Sequence, residues 1–191
     1  MISVILSTQN DEMALAHALA ALVPAAADGT VREVIVVDAR STDETLAVAD
    51  AAGCKIVVGS GDRGADLAAG AAAARSDWLL FLSPDVMLEP GWQREVRDFM
   101  DRLAMSGAGG NRAASFRHAD AGFGWRARLS EVRSSVHSRR FASSSCKEGL
   151  LVPASRPRAP FLPALARRIA DRGGLIRPGA CRASGARPGA A

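Results

Sequence analysis

Short apolar runs alternate with longer amphipathic segments through the first hundred residues of this chain. Each run is four or five residues long, and the first, Ile2–Leu6, is typical of a strand buried on both faces of a sheet. The four predicted strands are Ile2–Leu6, Val34–Val37, Lys55–Val58 and Trp78–Leu82. Four strand–helix alternations, with connections too long for hairpins, predict an α/β fold with a mostly parallel sheet and helices on both faces.

Helix boundaries follow from local signals between these strands. The first helix begins at Asp11-Glu12 and is expected to stop at Pro24, which lacks an amide hydrogen. Ser41, followed three residues later by Glu44, reads as a capping box that opens a second helix from about residue 42 to 52. A third helix is predicted for residues 65–75, and a fourth begins at Pro90.

Beyond residue 106 the pattern weakens. We divide the chain into an α/β half over residues 1–106, a second region over 107–177, and a tail over 178–191. The second region is predicted to hold a basic helix near 125–140, a short strand at 149–152 and a helix near 165–172. The tail is rich in Gly, Ala, Arg and Pro, and is expected to be disordered.

The balance of acidic and basic residues also changes near residue 110. Residues 1–110 contain 8 basic and 16 acidic side chains, whereas residues 111–191 contain 16 basic and 4 acidic ones. A basic second half favours contact with phosphate, nucleic acid or anionic lipid. Compositional drift explains it equally well, because 22 of the 24 basic residues are arginine.

The three cysteines form no CxxC pair, so neither a zinc site nor a disulfide framework is indicated. The N-terminus lacks the basic region of a secretory signal, and no apolar stretch approaches the roughly 20 residues that span a bilayer. We therefore expect a cytoplasmic protein.

Asp38 is the first candidate for chemistry, because it directly follows the apolar run 34–37. Ligands of open α/β sheets bind outside the carboxyl ends of the strands. At that place a carboxylate accepts hydrogen bonds from a sugar or a base, or it only caps a loop; position alone leaves both open.

The first strand-to-helix turn excludes two phosphate-binding classes. It contains no glycine, as a dinucleotide-binding turn would, and the chain has no GxxxxGK[ST] P-loop. Thr8, Asn10 and Asp11 instead offer hydroxyl, amide and carboxylate groups, which suit hydrogen bonding to a nucleoside.

Four segments in this order resemble family-2 glycosyltransferases of the GT-A fold, in particular the short bacterial single-domain type. Residues 4–12 resemble the opening "VIIPTLNEE", and residues 34–45 resemble "VIVVDGGSTDGT". Residues 63–70 resemble "RGAQLNAG", and residues 78–86 resemble "WLLFLHADT". The resemblance implies a Rossmann-like nucleotide-sugar-binding half, followed by an irregular acceptor region.

The resemblance also implies roles for individual residues. Thr8 and Asp38 would contact the nucleoside, and Arg63 would lie near the nucleotide. Asp85 would reach a divalent metal on the diphosphate, for which magnesium or manganese is implied because hard ions prefer oxygen ligands.

The chain departs from the family pattern at several of these positions. The proline of the first turn is Ser7, and the two glycines after the second strand are Ala39 and Arg40. In the third segment Asp66 replaces glutamine and Ala68 replaces the amide residue. Ser83 replaces the first member of the metal motif, so Asp85 is almost the only metal-binding residue of that motif that remains.

The catalytic half departs further. Family members carry a "GDQG" segment, and then an acidic "ED" pair that supplies the catalytic base. Residues 146–149 (CKEG) take the first place here, and no Asp or Glu occurs from 149 to 170. Glu148 is the candidate base inside a recognisable motif. Asp171 lies about two helical turns, roughly 11 Å, from the expected position.

Two functions follow as hypotheses. The first is transfer of a sugar from a nucleotide-sugar donor to an unknown acceptor, which is lipid-linked in one version. The second is a catalytically impaired homologue that binds only nucleotide or a partner. The basic cluster around Arg126–Arg140 suggests peripheral contact with an anionic membrane, or else an ordinary solvated helix face. Without a recognisable module, nucleic-acid binding is not expected.

Overall fold

The computed structural model describes residues 1–105, 114–116, 149–154 and 181–183. Strands and helices alternate over the first of these ranges, as the hydrophobic pattern predicts. The elements are β1 Ile2–Thr8, α1 Glu12–Ala27, β2 Val31–Asp38, α2 Thr45–Ala51, β3 Lys55–Val58, α3 Arg63–Ala73, β4 Trp78–Leu82, β5 Val86–Leu88, α4 Trp92–Met105, β6 Ala114–Ser115, β7 Leu150–Pro153 and β8 Cys181–Ala183.

The main sheet of the described residues has the strand order β3-β2-β1-β4-β7-β6. The first four of these strands are parallel, whereas β7 is antiparallel to both β4 and β6. This confirms the predicted mostly parallel α/β sheet. The carboxyl ends of β1 to β4 lie at one edge of the sheet, which we call the carboxyl edge.

Helices cover both faces of the sheet, also as predicted. On one face, α1 and α4 pack Leu15, Leu19, Trp92 and Val96 against alternate residues of the central strands. On the other face, α3 packs Leu67 against Ile5, Ile35 and Phe81. Burial on both sides explains why β1, the second half of β2 and β4 read as continuous apolar runs, whereas β3, at the end of the sheet, is mostly exposed.

Pro24 does not stop α1, so that prediction is wrong. The helix continues to Ala27, with Pro24 inside it. Leu22 and Ala25 on either side of the proline are buried in the core, and Asp28 N donates to Pro24 O at 3.0 Å. Packing of this last turn offsets the one hydrogen bond that the proline removes.

Most of the second half lies outside the described residues, including the predicted helices near 125–140 and 165–172. The short strand predicted at 149–152 is present as β7. Within the tail that was expected to be disordered, Cys181–Ala183 form β8, which pairs with β5 in a separate two-stranded sheet. The fold therefore differs from that expectation over these three residues.

Gly70 sets the distance between α3 and the sheet. A Cβ at this position would lie 2.5 Å from Ile5 Cγ2 and 3.0 Å from Val37 Cγ2. Real Cβ atoms do not approach other carbons this closely, so either α3 or the side chains of Ile5 and Val37 must shift before a side chain fits at this position.

We expect Gly70→Ala to destabilise the protein by about 1–3 kcal/mol, although alanine is the better helix former, because overpacking shifts α3. The urea midpoint measures the effect. Gly64→Ala is the matched control on the same helix, since its Cβ meets only the Asp62 side chain, at 3.3 Å. Equal stability of Gly70→Ala and the wild type would show that α3 is not fixed by this contact.

Glu33 ties three segments together at the opposite edge of the sheet. Its Oε1 accepts from Ser3 Oγ and from the Arg75 amide, each at 2.6 Å. Partial burial alone would raise the pKa of Glu33. The two hydrogen bonds, together with the charges of Arg75 and Lys55, outweigh this and lower that pKa below its ordinary value of 4.5.

A lowered pKa in the folded state means that the ionised Glu33 stabilises the fold above the unfolded-state pKa, and that this contribution is lost as pH falls through the folded-state pKa. We expect the wild type to exceed Glu33→Gln in stability above about pH 5.5, and the difference to shrink below about pH 4.5. Urea midpoints from pH 3 to 7 measure it. A difference that does not change with pH would contradict the assignment.

Candidate functional site

Thr8 and Asp38 end neighbouring strands and face each other in register at the carboxyl edge. Both side chains are buried, with 2% and 4% of their surface exposed. Because side chains alternate along a strand, they share the face of Leu6 and Val36, on which α1 packs. The structure therefore brings together these two residues of the sequence prediction.

The Asp38 carboxylate is held by donors of its own loop. Ser41 N donates to Oδ2 at 2.9 Å, and Ser41 Oγ donates to Oδ1 at 2.5 Å. Thr8 Oγ1 lies 3.5 Å from Oδ1. A carboxylate can accept about four hydrogen bonds, so Asp38 keeps capacity for a ligand donor while its orientation is fixed.

The predicted capping box of Ser41 and Glu44 is wrong. Helix α2 begins three residues later than expected, and its N-cap Glu44 makes no side-chain capping bond. The Ser41 hydroxyl donates to Asp38 instead. A buried carboxylate left without donors is costly, and this requirement takes precedence over the local capping signal.

Hydrogen bonds join the β1–α1 turn to the β2–α2 turn. Asn10 N donates to Ser41 Oγ at 2.8 Å, and Thr42 N donates to Asn10 Oδ1 at 2.8 Å. Asp11 N donates to Thr45 Oγ1 at 3.0 Å. The turn that carries Thr8 and the turn that carries Asp38 are thus a single hydrogen-bonded unit.

Asp43 anchors this unit to the beginning of α1. Its carboxylate accepts from Thr45 Oγ1 at 2.5 Å, from Thr45 N at 3.1 Å and from Glu12 N at 3.3 Å. These bonds, the one from the Thr45 hydroxyl above all, lower the pKa of Asp43. The carboxylate is therefore ionised at neutral pH.

Two predicted ligand residues are partly engaged in these internal bonds. Asn10 uses its amide oxygen for Thr42, and its backbone is left-handed at φ 54°. Asp11 Oδ2 accepts from Gln9 N at 2.9 Å. Their side chains shape the turn, and the NH₂ group of Asn10 is what that side chain keeps for a ligand.

A third loop, after β3, approaches Asp38 closely. Gly59 N donates to Asp38 O at 2.7 Å, and a Cβ on Gly59 would lie 3.0 Å from both Asp38 O and Asp66 Oδ1. The buried Asp66 accepts from Ser60 N at 2.6 Å and from Gly61 N at 3.3 Å. Arg63, the first residue of α3, follows this loop and is exposed at the same edge.

Asp85 lies in the turn between β4 and β5, which is closed by a 3.1 Å hydrogen bond from Val86 N to Ser83 O. It is exposed, and no donor among the described residues contacts its carboxylate. Since β4 and β2 flank β1, Asp85 and Asp38 belong to the same edge of the sheet, two strands apart.

The residues around Asp85 do not form a metal cage. No group of three or more His, Cys, Asp or Glu side chains in the described ranges has the geometry of a metal site. Magnesium and manganese are commonly held by one or two carboxylates together with substrate phosphates. An unpartnered carboxylate fits such an ion when a diphosphate supplies further oxygen ligands, and does not fit an ion bound by protein alone.

Glu148, the predicted base, lies outside the described residues. Its neighbour Gly149 is described and lies at the carboxyl edge, because β7 runs antiparallel to β4 and begins beside Phe81. Gly149 has φ 89°, and its carbonyl accepts from Phe116 N at 3.0 Å.

Sequence reasoning did not identify several residues on which this edge depends. They are the polar residues that support Asp38 and the loops around it, namely Ser41, Asp43, Thr45, Gly59 and Asp66. For Ser41, Asp43 and Thr45 the signal was present as the polar run that follows Val37, whereas Gly59 and Asp66 lie after the third strand. The spacing does not show which atoms of these segments come into contact.

A cavity of about 640 Å³ lies apart from the site, at the opposite edge of the sheet. It is found between the end of α1 and the beginning of α4 and is lined by Asp28, Arg97 and neighbouring residues.

The Cys54 thiol also lies apart from the site. Burial raises the pKa of this thiol to about 11, so it is protonated and not a nucleophile. No helix in the described ranges is both long enough and apolar enough to cross a bilayer.

Comparison with solved structures supports the fold. Glucosyl-3-phosphoglycerate synthase from Mycobacterium tuberculosis, in complex with Mn²⁺, UDP and glucosyl-3-phosphoglycerate, is 23% identical with a TM-score of 0.53, over 81% of this chain and 57% of that one. The same enzyme with Mn²⁺ and UDP-glucose is 22% identical, with a TM-score of 0.61, over 98% and 72%. A mycobacterial protein is 21% identical, with a TM-score of 0.60, over 96% and 64%.

At these identities the similarity shows the GT-A fold. This chain spans little more than half the length of the first of these structures. A search of curated protein sequences finds no significant match.

Family membership comes from the sequence profile. The profile described as glycosyl transferase family 2 matches residues 3–144, which is most of the chain and includes the segments that carry Thr8, Asp38 and Asp85. The chain belongs to glycosyl transferase family 2.

Proposed function

We propose that this chain transfers a sugar from a nucleotide-sugar donor to an acceptor hydroxyl, with the donor bound along the carboxyl edge of the sheet. The observation that carries the proposal is the buried, pre-oriented carboxylate of Asp38, beside Thr8 and on the same edge as Asp85. The solved structures with UDP or UDP-glucose make uridine nucleotides the first donors to test.

In this proposal Asp38 accepts a hydrogen bond from the base, Thr8 contacts the nucleoside, and Asn10, Asp11 and Arg63 complete the nucleotide site. A hydrogen-bond acceptor held in a fixed orientation gives selectivity, because a base without a matching donor leaves it unpaired. The hydrogen bonds between the two turns support this role, since they remove the freedom that binding would otherwise have to restrict.

Asp85 would hold a magnesium or manganese ion against the diphosphate, where the ion offsets the negative charge of the departing nucleoside diphosphate. In the transfer itself, the acceptor oxygen forms a bond to the anomeric carbon, while the bond from that carbon to the diphosphate oxygen breaks. The electron pair leaves with the diphosphate, and Glu148 takes the acceptor proton as general base.

The acceptor is expected to meet the basic second half of the chain. Arginines of the basic segment 126–140 support a lipid-linked acceptor and peripheral contact with an anionic membrane from the cytoplasmic side, because each basic residue near such a surface contributes about 1 kcal/mol. The alternative function is a homologue that binds the nucleotide without transferring the sugar. The missing acidic pair between residues 149 and 170 favours that alternative.

We expect UDP with MnCl₂ to raise the melting temperature of the wild type. A ligand at 100 times its Kd adds about 2.7 kcal/mol, which corresponds to roughly 5–10 °C in a chain of this size. MnCl₂ alone should have no effect, because the described residues offer the ion one carboxylate. Asp38→Asn should weaken UDP binding about tenfold, and Asp85→Asn should remove the manganese dependence.

Asp77→Asn is the matched control for Asp85→Asn, since it removes one exposed carboxylate from the opposite edge of the sheet and should bind UDP like the wild type. Melting temperatures without ligand separate lost binding from lost folding. If the wild type responds to no nucleoside diphosphate, both the transferase and the nucleotide-binding alternative are wrong.

Catalysis is tested by release of UDP from UDP-glucose with candidate acceptors, beginning with phosphoglyceric acid, which is bound in further solved structures of glucosyl-3-phosphoglycerate synthase. We expect Glu148→Gln to reduce transfer about 10²–10⁴-fold, the usual contribution of a general base, with UDP binding intact. Asp171→Asn is the control and should retain activity.

Transfer that survives Glu148→Gln would show that the base lies elsewhere. If the wild type binds UDP and manganese but transfers sugar to none of the acceptors, the impaired homologue is the better description.

A further inference from the structure

Arg40 has an unusual backbone conformation for its residue type. It lies two residues after Asp38, in the turn that leaves β2, and its φ is 60°. In this left-handed region the Cβ of an L-residue crowds the following carbonyl oxygen, which is why glycine is the usual occupant. The corresponding position of the resembling family motif is a glycine.

The surrounding turn imposes this conformation. On one side Ala39 N donates to Thr8 O at 2.9 Å. On the other side Ser41 donates both its amide and its hydroxyl to Asp38. The backbone at Arg40 is therefore fixed between two anchored residues and cannot relax to a negative φ without breaking the Asp38 interactions.

The Arg40 side chain gives the described part of the fold no contact that offsets this strain. It is exposed, and its guanidinium has no hydrogen-bond or ion-pair partner among the described residues. A strained residue that contributes neither packing nor pairing is a candidate for contact with a ligand.

The position of Arg40 along the carboxyl edge determines which part of a bound nucleotide it would contact. Asp85 and Asp38 end strands on either side of β1, and neighbouring strands are about 4.8 Å apart. A nucleotide with its diphosphate at Asp85 and its base at Asp38 therefore extends over roughly 10 Å across the edge. Arg40 follows Asp38, so it belongs to the base end.

We propose that Arg40 is a specificity-determining residue that donates a hydrogen bond to a carbonyl oxygen of the donor's base, next to the N–H that Asp38 accepts. The inference rests on the proposed function. Arginine offers five N–H donors and aspartate only acceptors, so the pair matches a base edge with adjacent N–H and C=O groups. Uracil and guanine have such an edge, whereas adenine has no carbonyl oxygen.

Titration of the protein with UDP and with ADP, both with MnCl₂, tests this pairing by calorimetry. We expect Arg40→Ala to weaken UDP binding about tenfold, the usual effect of losing one charged hydrogen bond, and to leave ADP affinity within about twofold. Arg32→Ala, which removes an exposed arginine near the beginning of β2, is the charge-matched control and should change neither affinity.

Arg40→Gly separates the ligand role from a structural role. Glycine adopts the left-handed conformation without crowding, so we expect the melting temperature without ligand to rise by about 2 °C while UDP binding weakens as in Arg40→Ala. A residue that only supported the turn would lower stability and affinity together.

Equal losses of UDP and ADP affinity would place Arg40 on the diphosphate and overturn the inference, as would unchanged UDP affinity in Arg40→Ala. Neither result would affect the proposed function, which fails only if the wild type itself binds no nucleoside diphosphate.

Discussion

The buried carboxylate of Asp38 is the constraint on which the rest of this edge depends. A charge in the core is tolerated only when donors surround it, and the chain supplies them from Ser41 and Thr8. Satisfying Asp38 fixes Ser41, and Ser41 in turn accepts from Asn10 N and fixes the preceding turn. The orientation of two loops thus follows from the need to satisfy one carboxylate.

Much of the sheet can be predicted from the sequence, because burial on both faces of β1, β2 and β4 leaves apolar runs, and the mostly exposed β3 keeps a short run of β-branched residues. The first four strands and β7 lie where those runs predict, and Asp38 and Asp85 follow strands at the expected edge. These predictions succeed because they depend only on a residue's immediate neighbours and on the rule that the carboxyl ends of parallel strands lie at the same edge of the sheet.

The features that were predicted wrongly or not at all depend on contacts between residues far apart in the sequence. Helix α1 continues past Pro24 because Ala25 is buried in the core. Ser41 does not cap α2 because its hydroxyl donates to Asp38. The pairing of β5 with β8 joins segments almost a hundred residues apart, each of three residues, and neither carries a strand pattern of its own. In each case tertiary contacts decide between local alternatives.

The antiparallel end of the sheet has a consequence for how such a protein diversifies. Ser115 of β6 pairs with Leu150 of β7, and Phe116 N bonds to Gly149 O, so the chain leaves and re-enters the sheet at the carboxyl edge. The hydrogen bond from Phe116 N to Gly149 O fixes the two points between which residues 117–148 run, and Glu148, the proposed base, directly precedes the second of them. Changes of sequence between these two points therefore leave the strand register and the attachment point of Glu148 the same.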